Sequence, residues 1–508
     1  MVMAQENQTP QQVEPSFEVE YMSRWKLIVR AFKKHKTGRI ALVILVIFYA
    51  LSIFADFFSP VNPYVQNTDR TYAPPSEVLW RVDGKFVGPY IYDVASYRDP
   101  VTYQRYYEPA SVIQEITGED TDGNAFSFSL DDPKIQNIFT RFESEIIAVG
   151  TEGERTLTKS SKEMKLVPIS KKEILRQGGI DTVYNSPEDL EVYLNNPIYS
   201  YKMNRIGQLT EIHVDEGIRA LNIEFTDGSK KTVEVGSIDD FSFKIFKIKL
   251  FNRGWEYKLF GLIPTNLHLF GVDSPAQYYL FGADAYGRDV WTRILFGSRI
   301  SLSVGFAGIL ITFTLGLLLG GVAGYYGGWT DETLMRITEI LMSIPGLYLL
   351  ISLRAILPQD LPSHITYLMI IVILSFIGWP GMSRVIRGMV LSIKQTEYVE
   401  AARAMGYPTR RIIWRHIIPN TSTYVIVSAT LAIPGYILGE AGLSFLGFGI
   451  REPQSSWGLM LTQAQKLSVL EQYPWLLLPG VFLFFAILAF NLFGDAVRDA
   501  FDPKGLGN

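Results

Sequence analysis

From Ile300 to Thr330 the chain carries no charged side chain. An α-helix rises about 1.5 Å per residue, so roughly 20 apolar residues cross the ~30 Å hydrocarbon core of a bilayer. Lipid offers no partner to backbone N–H and C=O groups, which leaves helices and closed barrels as the only spanning forms. A run this long predicts a helix. Gly308, Gly316, Gly320, Gly321 and Gly324 lie along it and supply the small surfaces through which helices approach one another in a membrane.

Other stretches fit the same reading. The first is Ile40 to Ala55, which reaches spanning length with Asp56, Phe57 and Phe58. It is too long for a signal-peptide core and no small-x-small cleavage site follows it, so it predicts an anchor. After the run at 300 come Leu334–Leu357, interrupted by Pro345-Gly346, then Leu361–Met382, Thr421–Gly439 and Tyr473–Phe493. Charged residues make up 19% of the chain, against about 25% in soluble domains, as expected if much of it lies in lipid.

Charge orients the six spans. Seven basic residues precede the first, and the loop after the fourth carries Arg384, Arg387, Lys394, Arg403, Arg410, Arg411 and Arg415. Both segments are expected in the cytoplasm, which places both termini there. Arg288, Arg293 and Arg299 fall just outside the second span, against the rule, although long translocated segments escape it. The expected organisation is a cytoplasmic segment 1–39, helix 1 at 40–58, an extracytoplasmic block 59–280, a core 281–493 and a cytoplasmic tail 494–508.

The block differs in character. Residues 61–280 hold 24 basic and 32 acidic side chains, a net of −8, while the remainder has a net of +4. "LNIEFTDGSKKTVEVG" alternates around Asp227-Gly228 and predicts a hairpin, and "AFSFSL" and "FSFKIFKIKLF" also read as strands. "SKKEILRQGG" and "SPEDLEVYLNN" predict short helices. The block is large enough for its own core and reads as a mixed α+β domain. Its tyrosines fit a recognition surface or ordinary packing.

The segment "EAARAMGYPTRRIIWRHIIPN" follows the fourth span. Tyr398, Ala401, Ala402 and Met405 recur on one face of a helix. Gly406 permits a backbone other residues resist, Tyr407 is disfavoured in a helix before Pro408, and Thr409 can cap a second helix through Ile417, closed by Pro419. Ile412, Ile413, Trp414 and Ile417 are expected against the bundle, with Arg410, Arg411 and Arg415 toward water. Two short helices with a bend suit a knob entering a partner's groove; a solvated connector is the plain alternative.

Chemistry on the chain itself is not expected. There is no cysteine, which excludes disulfides, thiolate metal sites and cysteine nucleophiles. His213, His268 and His364 are scattered and read as surface or interface residues. No G-x-x-x-x-G-K-[ST] loop occurs, so any ATP hydrolysis belongs to another chain. No catalytic set, metal site, cofactor or nucleic-acid partner is expected. Glu440 interrupts the fifth span and is either a functional acid or a hydrogen-bonded tie to a neighbouring helix. Ser375, Ser428 and Thr430 read as helix-packing residues.

Several motifs, taken in order, resemble the permease subunits of binding-protein-dependent ABC importers, of the dipeptide and oligopeptide C-subunit type. Glu400, Ala401, Ala402, Gly406 and Pro419 match the EAA loop in register, with His416 and Ile418 replacing its Ile and Leu. "FGADAYGRDVWTRILFGSRISLSVGF" resembles that family's segment leading into the second span through Gly282, Asp284, Gly287, Arg288, Asp289, Arg293, Gly297, Arg299 and Ser301. "GEAGLSFLGFGIREPQSSWGLML" and "FGDAVRDAFDPK" are similar to its later spans and tail. The resemblance implies an α-helical membrane protein with six transmembrane helices of the type I importer kind, carrying an inserted α+β extracytoplasmic domain between helices 1 and 2. It implies location in a bacterial inner membrane and partners in a homologous second permease, two ABC ATPase subunits and an extracytoplasmic solute-binding protein. Glu400, Ala401, Ala402, Gly406, Arg410 and Arg411 would then couple to the ATPases, and the inserted block would meet the binding protein or cap the translocation entrance, unless it is an inert insertion. The cargo implied is peptide, with oligosaccharides, opines or nickel as alternatives. A receptor with an external sensing domain is the reading from another class.

Overall fold

A computed structural model describes residues 24–501 apart from 83, 99–104, 110–112, 120–124, 130–133, 166–179, 197–198, 200, 204–205, 235–237, 275 and 359–360. The expected helix in "SKKEILRQGG" lies outside the described residues, as do residues 1–23 and 502–508.

Helix α1 (Arg24–Lys34) leads into α2 (Lys36–Ile53), followed by the short α3 (Ala55–Phe58). The block after them is rich in strands, with one eight-residue helix, α4 (Pro187–Leu194), among the described residues. Then come α5 (Val290–Tyr326), α6 (Gly328–Ser343), α7 (Gly346–Ile356) and α8 (Ser363–Ile393). The chain continues through α9 (Glu397–Ala404), α10 (Thr409–Ile412), α11 (Ile418–Phe445), α12 (Trp457–Leu461), α13 (Leu467–Gln472) and α14 (Leu478–Phe501).

Among the described residues, five helical stretches are long and apolar enough to cross a membrane: Lys36–Ile53, Val290–Tyr326, Ser363–Ile393, Thr409–Phe445 and Pro474–Phe501. The third expected span is instead a broken pair, α6 and α7, bent by 91°. Ile344 is extended, as suits a residue before proline, and Pro345 starts α7 at a new angle. The neighbouring helices show what this pair accomplishes. The Ser303 hydroxyl lies 2.8 Å from that of Tyr367, Thr312 donates to the Ser375 carbonyl at 3.3 Å, and Gly324 faces Arg387 and Val390. Helices α5 and α8 therefore run in the same direction, so α6 and α7 return the chain from one end of the bundle to the other.

The remaining contacts sort the ends. Residues 52–58, 284–299, 445–457 and 475–482 meet at one end, through Trp291 to Phe58, Arg293 to Ser455 and Trp475 to Ala283. Gly38 faces Ala496 at the other, where Lys394 donates to the carbonyl of Gly324. The 397–417 segment therefore shares an end with the basic start of α2. A buried core of Leu302, Ile433, Ile437, Trp457 and Phe490 joins α2, α5, α11 and α14.

In the block, strands Ile135–Gly150, Gly153–Lys165, Ile180–Tyr184, Leu209–Phe225 and Lys230–Glu234 form one antiparallel sheet. The expected hairpin at Asp227-Gly228 forms, with Gly228 at φ +82° and Glu224 opposite Lys230. The sheet and α4 share a core around Leu157, Ile212, Val214 and Tyr193. "FSFKIFKIKLF" is divided among three strands in separate sheets, the last opening a hairpin of Lys249–Leu259 with Ile263–Gly271.

Candidate functional site

The basic end of the bundle presents α9, a turn and α10. Val399 and Ala402 are buried with Ile386, Val390, Ile412 and Ile417, so the inward face of α9 is the 399/402 pair rather than the expected Tyr398, Ala401, Ala402 and Met405 face. The reason is geometric: Val399 and Ala402 meet the cluster to which α8 contributes Ile386 and Val390, and the helix turns Ala401 and Ala404 outward. The turn is a Schellman closure, with Gly406 N–H donating to the Arg403 carbonyl at 2.9 Å and Tyr407 N–H to the Ala402 carbonyl at 3.2 Å. It places Gly406 at φ +75°.

Beyond it the chain departs from the expected separate second helix. Helix α10 passes through a π turn, Ile413–Ile417, directly into α11. Pro419 falls just after the π turn, at the start of α11, so the chain stays helical through it and it does not close the previous helix as expected. Thr409 makes no side-chain cap. The π turn rotates Trp414 off the bundle to 50% exposure, while Ile412, Ile413 and Ile417 stay buried. The outward surface thus combines Glu400, Ala401, Met405 (64% exposed), Gly406, Arg410, Arg411 and Trp414, and an open hollow of about 720 Å³ lies among Pro408, Arg410, Arg411, Trp414 and Pro419. The Arg411 guanidinium sits 4.4 Å from the centre of the Tyr407 ring.

At the opposite end lies a buried charge cluster. Gly287 turns the chain at φ +70°, and a Cβ there would collide with the Asn67 carbonyl. Arg288 donates to Asp284 at 2.9 Å and to Glu452 at 2.9 Å; Arg293 joins both, bonding Glu452 at 2.9 Å. Asp284, Arg288 and Arg293 are all buried. Burial opposes ionisation of Asp284, but Arg293 and Arg288 hold its carboxyl below the ordinary range. Asp289 caps α5, accepting from the Thr292 N–H at 2.9 Å and hydroxyl at 2.6 Å, while its Oδ1 has no partner. Burial pushes Asp289 up to about 7 against those two bonds. Arg299 pairs with Asp56 at 2.5 Å and donates to the Ser52 carbonyl. The arginines that strained the charge rule are thus each matched locally by a carboxylate.

Two family models match the chain. Residues 23–75 match the N-terminal transmembrane domain of oligopeptide transport permease C, and 316–505 match the binding-protein-dependent transport system inner membrane component. The oligopeptide transport permease OppC of Haemophilus influenzae is 45% identical over 228 residues, which cover 45% of this chain and 71% of that protein. The dipeptide transport permease DppC of Bacillus subtilis is 44% identical over 231 residues, covering 45% and 70%. The chain belongs to this permease family. It is a multi-pass membrane component of an ABC importer. A methionine ABC transporter chain in an inward-facing structure covers 40% of it at 20% identity and a TM-score of 0.30, too low to carry an argument. Residues 76–315 fall in neither family model, and most of the strand-rich block lies there.

In this permease Glu440 is fully buried, accepting from Ser301 at 3.0 Å and Ser444 at 2.7 Å. Ser301 in turn accepts from the Trp457 N–H at 3.1 Å, so Glu440 ties α11 to α5 and α12. It does not line the cavity of about 350 Å³ between α5, α8 and α11, where Thr312, Phe313, Gly378, Met382, Tyr424 and Tyr436 stand. Ser375 bonds the Gly308 carbonyl at 3.1 Å, a packing contact, and Ser428 lines the cavity. Glu452 was not singled out from the sequence, though its "REPQSSWG" setting lay inside a matched motif; a lone glutamate after a span gives no sign of the two arginines folded against it from 159 and 164 residues away.

Proposed function

We propose that this permease forms half of a peptide translocation pathway and takes its mechanical input through α9, the Gly406 turn and α10. The observation that carries the reading is the outward surface of that segment. Its inward residues are locked into the bundle, while Glu400 and Met405 stand exposed and Arg410, Arg411 and Trp414 line a hollow at the end where basic residues accumulate. Large apolar side chains held in a rigid, water-facing setting suit a surface covered in the assembled importer. ATPase subunits are the expected cover. Their closure on ATP would push this segment, and α8 and α11, joined to it directly, would transmit the push to the cavity lined by Thr312 and Tyr436. Peptide is the cargo carried by the two named relatives and the one proposed here. The second permease subunit would complete the cavity, and a solute-binding protein would deliver to the end that holds the Arg288–Glu452 cluster and the strand-rich block.

Glu400→Lys inverts an exposed charge without touching the core. Co-purification should retain the second permease and lose the ATPase subunits or their stimulation by peptide-loaded binding protein; wild-type uptake of labelled peptide would refute the docking role. Orientation is checked separately. Single cysteines at Ser161 and Ser392 should label and resist an impermeant maleimide, respectively, in spheroplasts.

A further inference from the structure

The hairpin of Lys249–Leu259 and Ile263–Gly271 exposes large apolar side chains that no element among the described residues covers. Leu262 is 81% exposed and Leu250 72%, with Phe251, Phe260 and Ile263 near 60%. From Leu259 to Phe270 the sequence holds no Asp, Glu, Lys or Arg. We propose that this hairpin is a lipid anchor, seating its apolar tip, Phe260 to Ile263, in the headgroup layer of the leaflet at the outer end of α2.

Its position supports the assignment. The Phe260 ring lies 5.5 Å from that of Phe54 and the Phe251 ring 6.4 Å from that of Phe57. The buried His268 ring places Nδ1 2.9 Å from the Asp56 carbonyl and Nε2 3.0 Å from the Trp255 carbonyl, which fixes the hairpin to α3. The depth of this contact follows from α5. Arg299 bonds the Ser52 carbonyl at 2.8 Å and Trp291 bonds the Phe58 carbonyl at 3.0 Å. Residues 52–58 are therefore level with 291–299, the last charged turns before the uncharged run that begins at Ile300. Phe54 stands at the hydrocarbon boundary, and the hairpin tip stands beside it.

The tip is continuous with the exposed Ile53 and Phe54 at the end of α2. Aromatic and aliphatic side chains at that level are the usual occupants of the membrane interface. Exposed Lys258 and Arg253 just behind the tip can meet lipid phosphates while the tip enters apolar surroundings. The tip carries no charge for a protein partner to pair with, and its level at the end of the membrane helices makes lipid the cover within reach. Anchoring would hold the base of the strand-rich block against the membrane.

The absence of cysteine allows a direct test. The complete importer carrying Leu262→Cys, and separately Ser161→Cys on an exposed strand remote from the tip, is labelled with NBD and placed in nanodiscs; unmutated importer treated alike gives the background. Leu262 projects from the surface, so the substitution leaves the fold intact. The expected result is a blue-shifted emission at 262, quenched by nitroxide-bearing lipids and spared by aqueous iodide, with the reverse at 161. Quenching at 262 by iodide as strong as at 161 overturns the proposal, because the tip is then in water. Protection from both quenchers also overturns it, since the tip is then covered by protein, the second permease subunit being the nearest candidate.

Discussion

The Gly406 turn allows a prediction in which strain and contact give opposite orders. The residue sits at φ +75°, and a Cβ built on it meets nothing within 4 Å. Any penalty inside this chain is thus one of backbone conformation. For an L-residue the left-handed region costs about 1–2 kcal/mol; Asn tolerates it best, and β-branched residues tolerate it worst. Gly406→Ala should therefore reduce the population of the closed turn by a factor of about 5 to 30. Gly406→Asn should cost less, and Gly406→Val more. If the turn transmits ATP-driven closure, peptide-stimulated ATPase activity of the reconstituted importer should fall in the order Asn, Ala, Val, with complexes that still co-purify with their ATPase subunits. If the glycine matters instead because a partner lies against its bare Cα, size decides, and Ala becomes milder than the larger Asn. That order would refute the strain argument. Full stimulation in the Val variant would refute any need for the turn.

Arg293→Leu leaves Asp284 and Glu452 to share Arg288, and the uncompensated charge should destabilise by about 3–5 kcal/mol, read as a fall in the apparent Tm of the detergent-solubilised complex. Adding Asp284→Asn restores the charge balance, so the double variant should lose less than the two singles together; strict additivity would show that the cluster is not coupled. A Cβ at Gly324 would stand 2.8 Å from the Arg387 carbonyl, whereas one at Gly321 comes only to 3.4 Å from Ile418. Gly324→Ala should cost about 1–3 kcal/mol by forcing α5 from α8, and Gly321→Ala should be close to neutral. Asp289, raised from 3.8 to about 7, is held more strongly protonated in the folded chain than in the unfolded one. Its contribution is full below about pH 4 and declines as pH rises toward 7, so the difference in Tm between the parent and Asp289→Asn should change across that window and be flat below it.

The bundle was legible in the sequence because lipid imposes one condition everywhere. Uncharged runs at Ile40, Ile300, Leu361, Thr421 and Tyr473 each became a helix, since no other backbone form is satisfied there. The 228 turn was legible for a similar reason, as Asp-Gly between alternating strands leaves little choice. The Gly-Tyr-Pro break also marked where α9 must stop. What sequence could not supply were choices among neighbours. Val399 rather than Tyr398 faces inward because the side chains of α8 lie on that side, and Trp414 stands outward on the π turn through which α10 runs into α11. Pro345 announced an interruption, but the 91° angle depends on α5 and α8 running in the same direction. Glu440 was visible as an acid in an apolar run, yet its role as a tie rests on Ser301, 139 residues away. Glu452 and the hairpin beside Phe54 were hidden altogether. Local periodicity fixes which segments are helical and which residues are costly to bury; only the assembled tertiary structure decides which opposite charge, hydroxyl or ring stands close enough to offset that cost, because Coulomb and hydrogen-bond terms act over a few ångströms of space and carry no record of separation along the chain.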